Sequence, residues 1–275
     1  MFKMITLTPL KEFEAPIMAA CINPGLFEGK SITEISELPV YEGNQKKKLD
    51  DLFKIEKNST ENSTITINGD MSKVKRIGMG MERGEIVLNG NGGMHLGEKM
   101  SGGKITVNGN ANGWTGSSMK GGLIEIHGDA SDYLASPYRG TSIGMRGGEI
   151  VIDGKVGSDS ACYMKGGVIK IKGGAGPFLG YHMLKGTIYV EKDCKNRTGA
   201  CMTGGKIIVN AVIEEVMPTF TVDEIKAKVK IDANEKATGP FYVFYGDLAE
   251  NGKGKLYVSK EANPHLGAFY DKYLD

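Results

Sequence analysis

The chain has 275 residues, with 34 lysines and arginines against 33 aspartates and glutamates, so its formal net charge at pH 7 is +1. Charged residues make up 24% of the chain, which describes an ordinary soluble surface and gives no electrostatic reason to expect binding to nucleic acid or an anionic membrane. No apolar run reaches the length of about 18 residues that a membrane span needs, and no signal peptide is recognisable, so we expect a cytoplasmic protein.

Residues 1–58 form a first segment that contains no repeat. MITLTPL predicts an edge strand that ends at Pro9. SITEISEL predicts a short helix, with Ser31 as its N-cap and Glu34 completing a capping box. Since the first strand of a stack of repeats leaves backbone groups unpaired, we predict that this segment is the cap that covers them.

Residues 59–215 contain a 19-residue repeat with the pattern Met-x-Gly-Gly-x-Ile-x-Val-x-Gly, seen as MSGGKITVNGN at 100–110. A degenerate unit, TITINGD at 64–70, precedes seven full units, and the third full unit carries a seven-residue insertion. The repeated methionines are Met81, Met100, Met119, Met145, Met164, Met183 and Met202.

The alternating apolar residues and the recurring glycine of each unit predict its fold. Its isoleucine and the next apolar residue are two positions apart with a variable residue between them, which is typical of a short strand with one buried face. Such a strand cannot bury its own face and must stack on the next one. We therefore predict an all-β fold, a right-handed parallel β-helix of about eight coils with aliphatic and methionine side chains inside. A glycine recurs at one corner of every unit, as a positive φ angle requires: Gly84, Gly103, Gly122, Gly148, Gly167, Gly186 and Gly205.

The insertion, within YLASPYRGTSIG, is the first candidate interaction site. A loop inserted once in a regular stack can reach a partner that the stack cannot touch. Pro137, Tyr138 and Arg139 are its most recognition-like residues, because tyrosine and arginine are enriched in interface hot spots. The alternative is a solvated loop without a binding role.

Several outward-facing strand positions are apolar, and together they would form a larger exposed patch than monomers usually tolerate. We predict that either the chain's own C-terminal strands or another protein covers them. Tyr189 joins the three loop residues as a candidate partner contact. The positions are Val87, Leu123, Val151, Val168, Tyr189 and Ile208.

Residues 216–275 lack the repeat and form the third predicted segment, a C-terminal cap with a strand pair and a tail. VDEIKAKV predicts a short helix or linker. FYVFYGD and KLYV predict two strands joined by the glycine-rich AENGKGK, and their aromatic side chains need a surface to pack against.

No pattern in the chain predicts catalysis or a bound metal. The outward strand positions contain no pair of carboxylates suited to acid–base chemistry, and the four histidines fall at different positions of the repeat. The four cysteines, Cys21, Cys162, Cys194 and Cys201, show no C-x-x-C spacing, so we interpret them as reduced structural residues. Cys194 occupies a position that other units fill with glycine, alanine or valine, which predicts a small core residue.

The repeated units, the SPYRG insertion, GKSITEISELPVYEGN at 29–44 and the terminal FYVFYGD and GKGKLYV together resemble the C subunit of formylmethanofuran dehydrogenase. The resemblance covers nearly the whole chain, although Ala135 and Pro137 stand where that family tends to have glycine and serine. The repeat alone also resembles the C-terminal domain of the large subunit of glutamate synthase and the C subunit of the bacterial formyltransferase/hydrolase complex. The N-terminal segment and the insertion favour the first family.

The resemblance implies an oxidoreductase complex that performs the first step of methanogenesis from CO2. A tungsten- or molybdenum-pterin subunit reduces CO2 to formate with electrons from iron–sulfur clusters in ferredoxin-like subunits, and formate is condensed with methanofuran by a zinc-containing amidohydrolase-like subunit. It implies that this chain is a scaffold without catalytic residues or cofactors that docks the amidohydrolase-like subunit in a hetero-oligomer. The alternatives are a scaffold in a formyltransferase/hydrolase complex, a β-helix subunit of an archaeal-type glutamate synthase, and a carbohydrate-active β-helix enzyme, which no residue pattern favours.

Overall fold

The computed structural model describes residues 4–57 and 63–274. Strands dominate this part of the chain, and none of its helices is long and apolar enough to cross a membrane. The N-terminal segment contains β1 (Ile5–Pro9), β2 (Ile17–Met18), α1 (Pro24–Phe27), α2 (Ile32–Ser36), β3 (Pro39–Glu42), β4 (Gln45–Lys48) and β5 (Phe53–Lys57). The repeats contribute β6 (Thr64–Asn68), β7 (Val74–Lys75), β8 (Glu85–Asn89), β9 (Lys104–Val107), β10 (Leu123–Ile126), β11 (Glu149–Ile152), β12 (Lys165–Ile171), β13 (Lys185–Val190) and β14 (Lys206–Val209). The C-terminal segment contains β15 (Thr221–Lys230), β16 (Lys236–Gly246), β17 (Gly254–Ser259) and α3 (Gly267–Tyr270).

One 13-stranded, mostly parallel sheet runs through the molecule in the order β15-β16-β17-β14-β13-β12-β11-β10-β9-β8-β6-β1-β5. From β8 to β14 each strand pairs in parallel with the strand of the next unit, and equivalent residues face one another. Ile105, for example, lies between Ile86 and Ile124. The prediction of one stacked strand per unit is therefore confirmed, and so is the strand of the degenerate unit, β6, which pairs with β8.

The repeated apolar residues form columns inside the stack. All seven repeated methionines and the seven isoleucines that follow them are fully buried. A second line of parallel contacts joins the units through single-residue bridges at small positions such as Ala111 and Ala130. Cys194 bridges Ala175 and Ile213 in this line and is buried, so its predicted place as a small core residue is confirmed.

Both ends of the stack are extended by strands that lack the repeat pattern. At one end β1 pairs in parallel with β6, and at the other end β17 pairs in parallel with β14. Antiparallel strands then complete both edges, β5 against β1 at one edge, and β16 against β17 and β15 against β16 at the other. The prediction that β1 is an edge strand is wrong, because its second side is covered by β5. The remaining strands of the N-terminal segment form a small sheet in the order β4-β3-β2-β7.

The short helix α2 has the predicted N-terminus. The Ser31 hydroxyl accepts a hydrogen bond from the Glu34 amide at 3.2 Å, and the Glu34 carboxylate accepts one from the Ser31 amide at 2.7 Å. The capping box is thereby confirmed. The predicted boundary between residues 58 and 59 lies outside the described residues.

The C-terminal segment does not contain the predicted short helix, and its strands cover part of the apolar outer face of the sheet. VDEIKAKV is neither a helix nor a linker but most of β15, which pairs antiparallel with β16. The backbone hydrogen-bond partners that β16 offers outweigh the helix preference of lysine and glutamate.

The hairpin of β15 and β16 lies over part of the apolar outer positions. Its side chains Val229, Phe241 and Val243 form a buried cluster with Tyr189 and Ile208. The chain itself therefore covers this part, while Val87, Leu123 and Val151 stay half-buried.

An ion-pair network fastens the hairpin to the stack. The Lys170 ammonium lies 2.9 Å from Glu149, 2.5 Å from Asp232 and 2.9 Å from Glu235, and the last two residues belong to the turn of the hairpin. Partial burial by itself lowers the pKa of Lys170, but hydrogen bonds to the three carboxylates outweigh it and hold the pKa above its usual range. The hydrogen bond from Lys170 lowers the pKa of Asp232.

Lys170→Met is expected to lower the melting temperature at pH 7 by about 2–4 °C, since it leaves three carboxylates without their shared cation. Because the folded-state pKa of Asp232 is depressed, its contribution is present above the unfolded pKa and is lost as the pH falls through the folded pKa. The difference between the two proteins should therefore shrink below about pH 4. Thermal unfolding followed by circular dichroism across this range measures it.

Lys172→Met is the matched control, because among the described residues Lys172 has one ion-pair partner, Asp153 at 2.7 Å, and its side chain is half exposed. We expect its melting temperature to stay within about 1 °C of the parent. Equal losses in the two variants would show that the network does not hold the hairpin.

Candidate interaction surface

One corner of the repeat carries side chains that the fold itself does not require. In six units this position lies fourteen residues after the repeated methionine, and Arg76 lies 19 residues before the first of them. The φ angle at this position is between 55° and 66° in all seven successive units. Glycine or asparagine would adopt this left-handed conformation at the lowest cost, yet four of the seven positions carry aromatic rings. We name these residues the corner column: Arg76, His95, Trp114, Tyr133, Asp159, Phe178 and Arg197.

Three rings of the corner column stack on one another. The centroids of Trp114 and Tyr133 lie 4.5 Å apart at an interplanar angle of 10°, and those of His95 and Trp114 lie 5.5 Å apart at 14°. The spacing follows from the parallel pairing of the units, which places equivalent side chains one strand apart. The units thereby build a flat aromatic wall.

The insertion folds against this wall. The Tyr138 ring stacks on His95 at 5.5 Å and contacts Trp114 at 6.1 Å, while 55% of the Tyr138 residue stays exposed. Arg139 beside it is exposed, whereas Pro137 is buried. The structure thus brings the three predicted loop residues together and presents two of them to solvent.

Hydrogen bonds of two serine hydroxyls fix the two ends of the insertion. The Ser136 hydroxyl donates to the Asp159 carbonyl at 2.5 Å and accepts from the Cys162 amide at 2.9 Å. The Ser118 hydroxyl donates to the Ile143 carbonyl at 2.8 Å. Because both ends are hydrogen-bonded to neighbouring units, the loop is held in place rather than free.

Tyr189 lies elsewhere, in the cluster under the C-terminal hairpin, and is 9% exposed. The chain's own residues contact it there. The structure therefore does not bring Tyr189 together with the three loop residues.

A cavity of about 430 Å³ opens beneath the insertion. Its lining side chains include Trp114, Tyr133, Tyr138, Arg139, Tyr163 and Tyr181. Burial raises the pKa of the Cys162 thiol at its edge to about 12, and it also raises the pKa of Asp159. A protonated thiol is a poor nucleophile. The aromatic rings that line the cavity are flat surfaces of the kind that stack with flat or apolar groups.

Among the described residues no three His, Cys, Asp or Glu side chains are grouped so that they could hold a metal ion. The four cysteines are free thiols.

The sequence patterns described above do not predict the stacked wall. They treat His95 only as one of four histidines that form no metal site and give no role to Trp114. The signal is present, since superposing the units at their 19-residue period puts His95, Trp114 and Tyr133 in one position. The contact of Tyr138 with that wall has no such signal, because it depends on how the insertion folds.

No model of a known protein family matches the chain. The chain is 50% identical to the C subunit of the tungsten-containing formylmethanofuran dehydrogenase 2 of Methanococcus maripaludis over 261 residues, 93% of this chain and 96% of that protein. It is 47% identical over 91 residues to the C subunit of the molybdenum-containing formylmethanofuran dehydrogenase 1 of Methanothermobacter marburgensis, a match to 33% of this chain that spans only 23% of that relative.

A solved structure has a similar chain. It is the X-ray crystal structure of the formyltransferase/hydrolase complex (FhcABCD) from Methylorubrum extorquens in complex with methylofuran, with a TM-score of 0.84 and 28% identity. The superposition covers 92% of this chain and 99% of that chain. Half of the residues are identical to the Methanococcus maripaludis protein over nearly the full length of both proteins. The chain therefore belongs to the family of formylmethanofuran dehydrogenase C subunits.

Proposed function

We propose that this chain is a non-catalytic scaffold subunit of a formylmethanofuran dehydrogenase complex and that it docks the amidohydrolase-like subunit. In this proposal the complex reduces CO2 to formate and condenses formate with methanofuran. The tungsten- or molybdenum-pterin, the iron–sulfur clusters and the zinc ions belong to partner subunits. Membership of the C-subunit family supports the assignment to this complex.

The proposal includes a finer description of the fold. We interpret the repeat units as coils of a right-handed parallel β-helix between an N-terminal cap, residues 1–58, and a C-terminal segment, residues 216–275. The two parallel lines of contact between successive units, one through the strands and one through the single-residue bridges, support this interpretation. Such a column suits a scaffold, because each coil is fixed by its neighbours on both sides.

The observation that carries the docking role is the exposed Tyr138 on its aromatic support. An exposed aromatic ring is usually mobile, but this ring lies against His95 and Trp114 on a loop fixed at both ends. A residue that is ordered before binding loses little conformational freedom in a complex. Arg139 beside it adds a second residue type that is enriched in hot spots. Tyr189 is left out of this surface, since the hairpin covers it.

A second candidate is a scaffold of a formyltransferase/hydrolase complex. The superposition on almost the entire equivalent chain of that complex, at a TM-score of 0.84, favours it. The two candidates differ in the partners and not in the role of this chain. Metal analysis of the purified complex separates them, because only the dehydrogenase contains a tungsten- or molybdenum-pterin subunit.

The double variant Tyr138→Ala/Arg139→Ala is expected to weaken the affinity for the amidohydrolase-like subunit by about 10- to 30-fold, as the loss of a hot spot does. The affected step is the association of subunits, so the melting temperature of the isolated chain should not change. A tagged chain produced in its native host would be purified, and the retained subunits would be identified by mass spectrometry and metal content.

A matched control is Tyr273→Ala/Lys272→Ala, which removes another exposed tyrosine, 68% exposed, together with the adjacent cation that lies over its ring. This variant should retain all partners. Undiminished retention of the amidohydrolase-like subunit by the loop variant would contradict docking at the insertion.

A further inference from the structure

A second cavity, of about 600 Å³, is also lined by Tyr138 and is rich in positive charge. We name it the basic pocket. It contains four cationic side chains and one carboxylate, a local net charge of +3, in a chain whose total net charge is only +1. Its principal lining residues are Arg76, Glu98, Lys99, Lys120, Tyr138 and Arg146.

The cations of the basic pocket exceed the carboxylates available to them. Glu98 lies 3.5 Å from the Arg76 Nε and 3.7 Å from the Lys99 ammonium, so it serves two cations at once. Within the described part of the chain no carboxylate oxygen lies within 4.0 Å of a charged nitrogen of Lys120 or Arg146.

The backbones of Lys120 and Arg146 are also close to each other, because the two residues occupy equivalent positions of the repeat. They follow Met119 and Met145, which are equivalent positions of neighbouring units, and the amide of Arg146 donates to the carbonyl of Met119. Their backbones are therefore separated by one strand spacing, about 4.8 Å. Two cationic side chains that start from neighbouring backbone positions can both reach one anionic group between them, which offsets their mutual repulsion.

Beside the pocket, a buried carboxylate oxygen is held only by long contacts. The Oε2 of Glu98, a residue that is 7% exposed, lies 3.5 Å from the Arg76 Nε and 3.5 Å from the Nδ1 of His95, which is 5% exposed, and forms a hydrogen bond with neither. Desolvation lowers the pKa of His95, so it adds no further positive charge at neutral pH. Buried polar atoms are usually satisfied, so the Glu98 carboxylate at the pocket is free to accept a hydrogen bond from a ligand in addition to these long contacts.

We propose that the basic pocket binds an acidic peptide segment of a partner protein. Carboxylates of the segment pair with Lys120 and Arg146, a backbone N–H donates to the Glu98 carboxylate, and apolar side chains pack on Tyr138 and Ile143, which are 55% and 42% exposed. The cations come from several units along the stack, which suits several carboxylates along a chain. The proposal rests on the docking role above, because it assigns a chemistry to the bound partner.

The test measures fluorescence anisotropy of a labelled octapeptide with four glutamates and two leucines, titrated with the full-length chain at low salt. The matched peptide has glutamine in place of glutamate. We expect the acidic peptide to bind at least 10-fold more tightly than the neutral one, and its affinity to fall as salt is added.

The variant Lys120→Gln/Arg146→Gln should weaken binding of the acidic peptide at least 10-fold with an unchanged melting temperature. The control Lys228→Gln/Lys236→Gln removes two exposed cations on the C-terminal hairpin, outside the pocket, and should bind as the parent does. Equal affinity for both peptides, or an unaffected pocket variant, would overturn the proposal. Displacement of the peptide by inorganic phosphate at constant ionic strength would assign the pocket to a small oxyanion and also overturn it.

The outcomes separate this inference from the docking role. If the isolated chain binds no acidic peptide while assembly of the complex still depends on Tyr138 and Arg139, the inference alone fails. If the peptide binds at the pocket but assembly ignores the insertion, the docking role at the insertion fails instead.

Discussion

Gly122→Ala is expected to lower the free energy of unfolding by about 3 kcal/mol, the sum of a left-handed backbone penalty and an overpacking penalty. Gly122 has a φ angle of +86°. An added Cβ would lie 2.7 Å from the carbonyl oxygen of Gly103 and 2.6 Å from the Met100 Cε. The methionine can move, but the carbonyl belongs to the equivalent corner of the unit below and cannot. Urea unfolding followed by circular dichroism measures the loss.

Gly140→Ala separates the two penalties. Gly140 has the same φ angle, +86°, but lies on the insertion with no atom within 4 Å of an added Cβ. It therefore carries the backbone penalty alone, and we expect a loss of about 1 kcal/mol. If the two variants lose the same stability, the positive φ angle alone explains why glycine recurs at this corner of every unit. The close approach of successive units would then contribute nothing to the loss of stability.

The glycine column also shows why so much of the fold is predictable. A period of 19 residues predicts which residues lie above one another, because parallel pairing places equivalent residues of successive units in the same environment. The buried isoleucines, the buried methionines and the place of Cys194 all follow from that one fact. Seven copies of the pattern make each assignment independent of any single residue.

The ends of the stack are less predictable because no repetition identifies them. The residues of ITLTP and GKLYVS do not predict that these strands pair in parallel with the first and last units. The pairing is seen only in the three-dimensional structure. The sequence VDEIKAKV has residues that favour a helix, and its strand conformation depends on the distant partner β16. The same reasoning applies to the candidate site, where the stacked rings repeat with the period and the basic pocket does not.

A second large effect is expected at the end of the second line of contacts. In the interior, the amide of each bridge residue donates to a carbonyl of the next unit, as the Cys194 amide donates to the Val212 carbonyl. Ile213 has no next unit. Its amide donates instead to the Asn263 Oδ1 at 3.0 Å, and the Asn263 Nδ2 donates to the carbonyls of Ala211 at 2.9 Å and Ser259 at 2.8 Å. A single fully buried side chain thus replaces the missing unit.

Asn263→Ala should lower the free energy of unfolding by about 3 kcal/mol, because it leaves the buried Ile213 amide and two carbonyls, one of them buried, without this partner. The exposed Asn234, at the turn of the C-terminal hairpin, provides the control. Asn234→Ala is expected to change stability by no more than about 0.5 kcal/mol. Both values come from urea unfolding under the conditions used for the glycine variants.

Asn263→Asp tests which hydrogen bonds matter. The carboxylate keeps the acceptor for the Ile213 amide, but it cannot donate and it faces two carbonyl oxygens. Burial and these oxygens should raise the pKa of the introduced acid, so the folded variant binds more protons than the unfolded one and gains stability as the pH falls from 7 towards 5. A protonated acid restores one of the two lost donations. If the stability of this variant relative to the parent does not depend on pH, the Asn263 amide is not what seals the end of the stack.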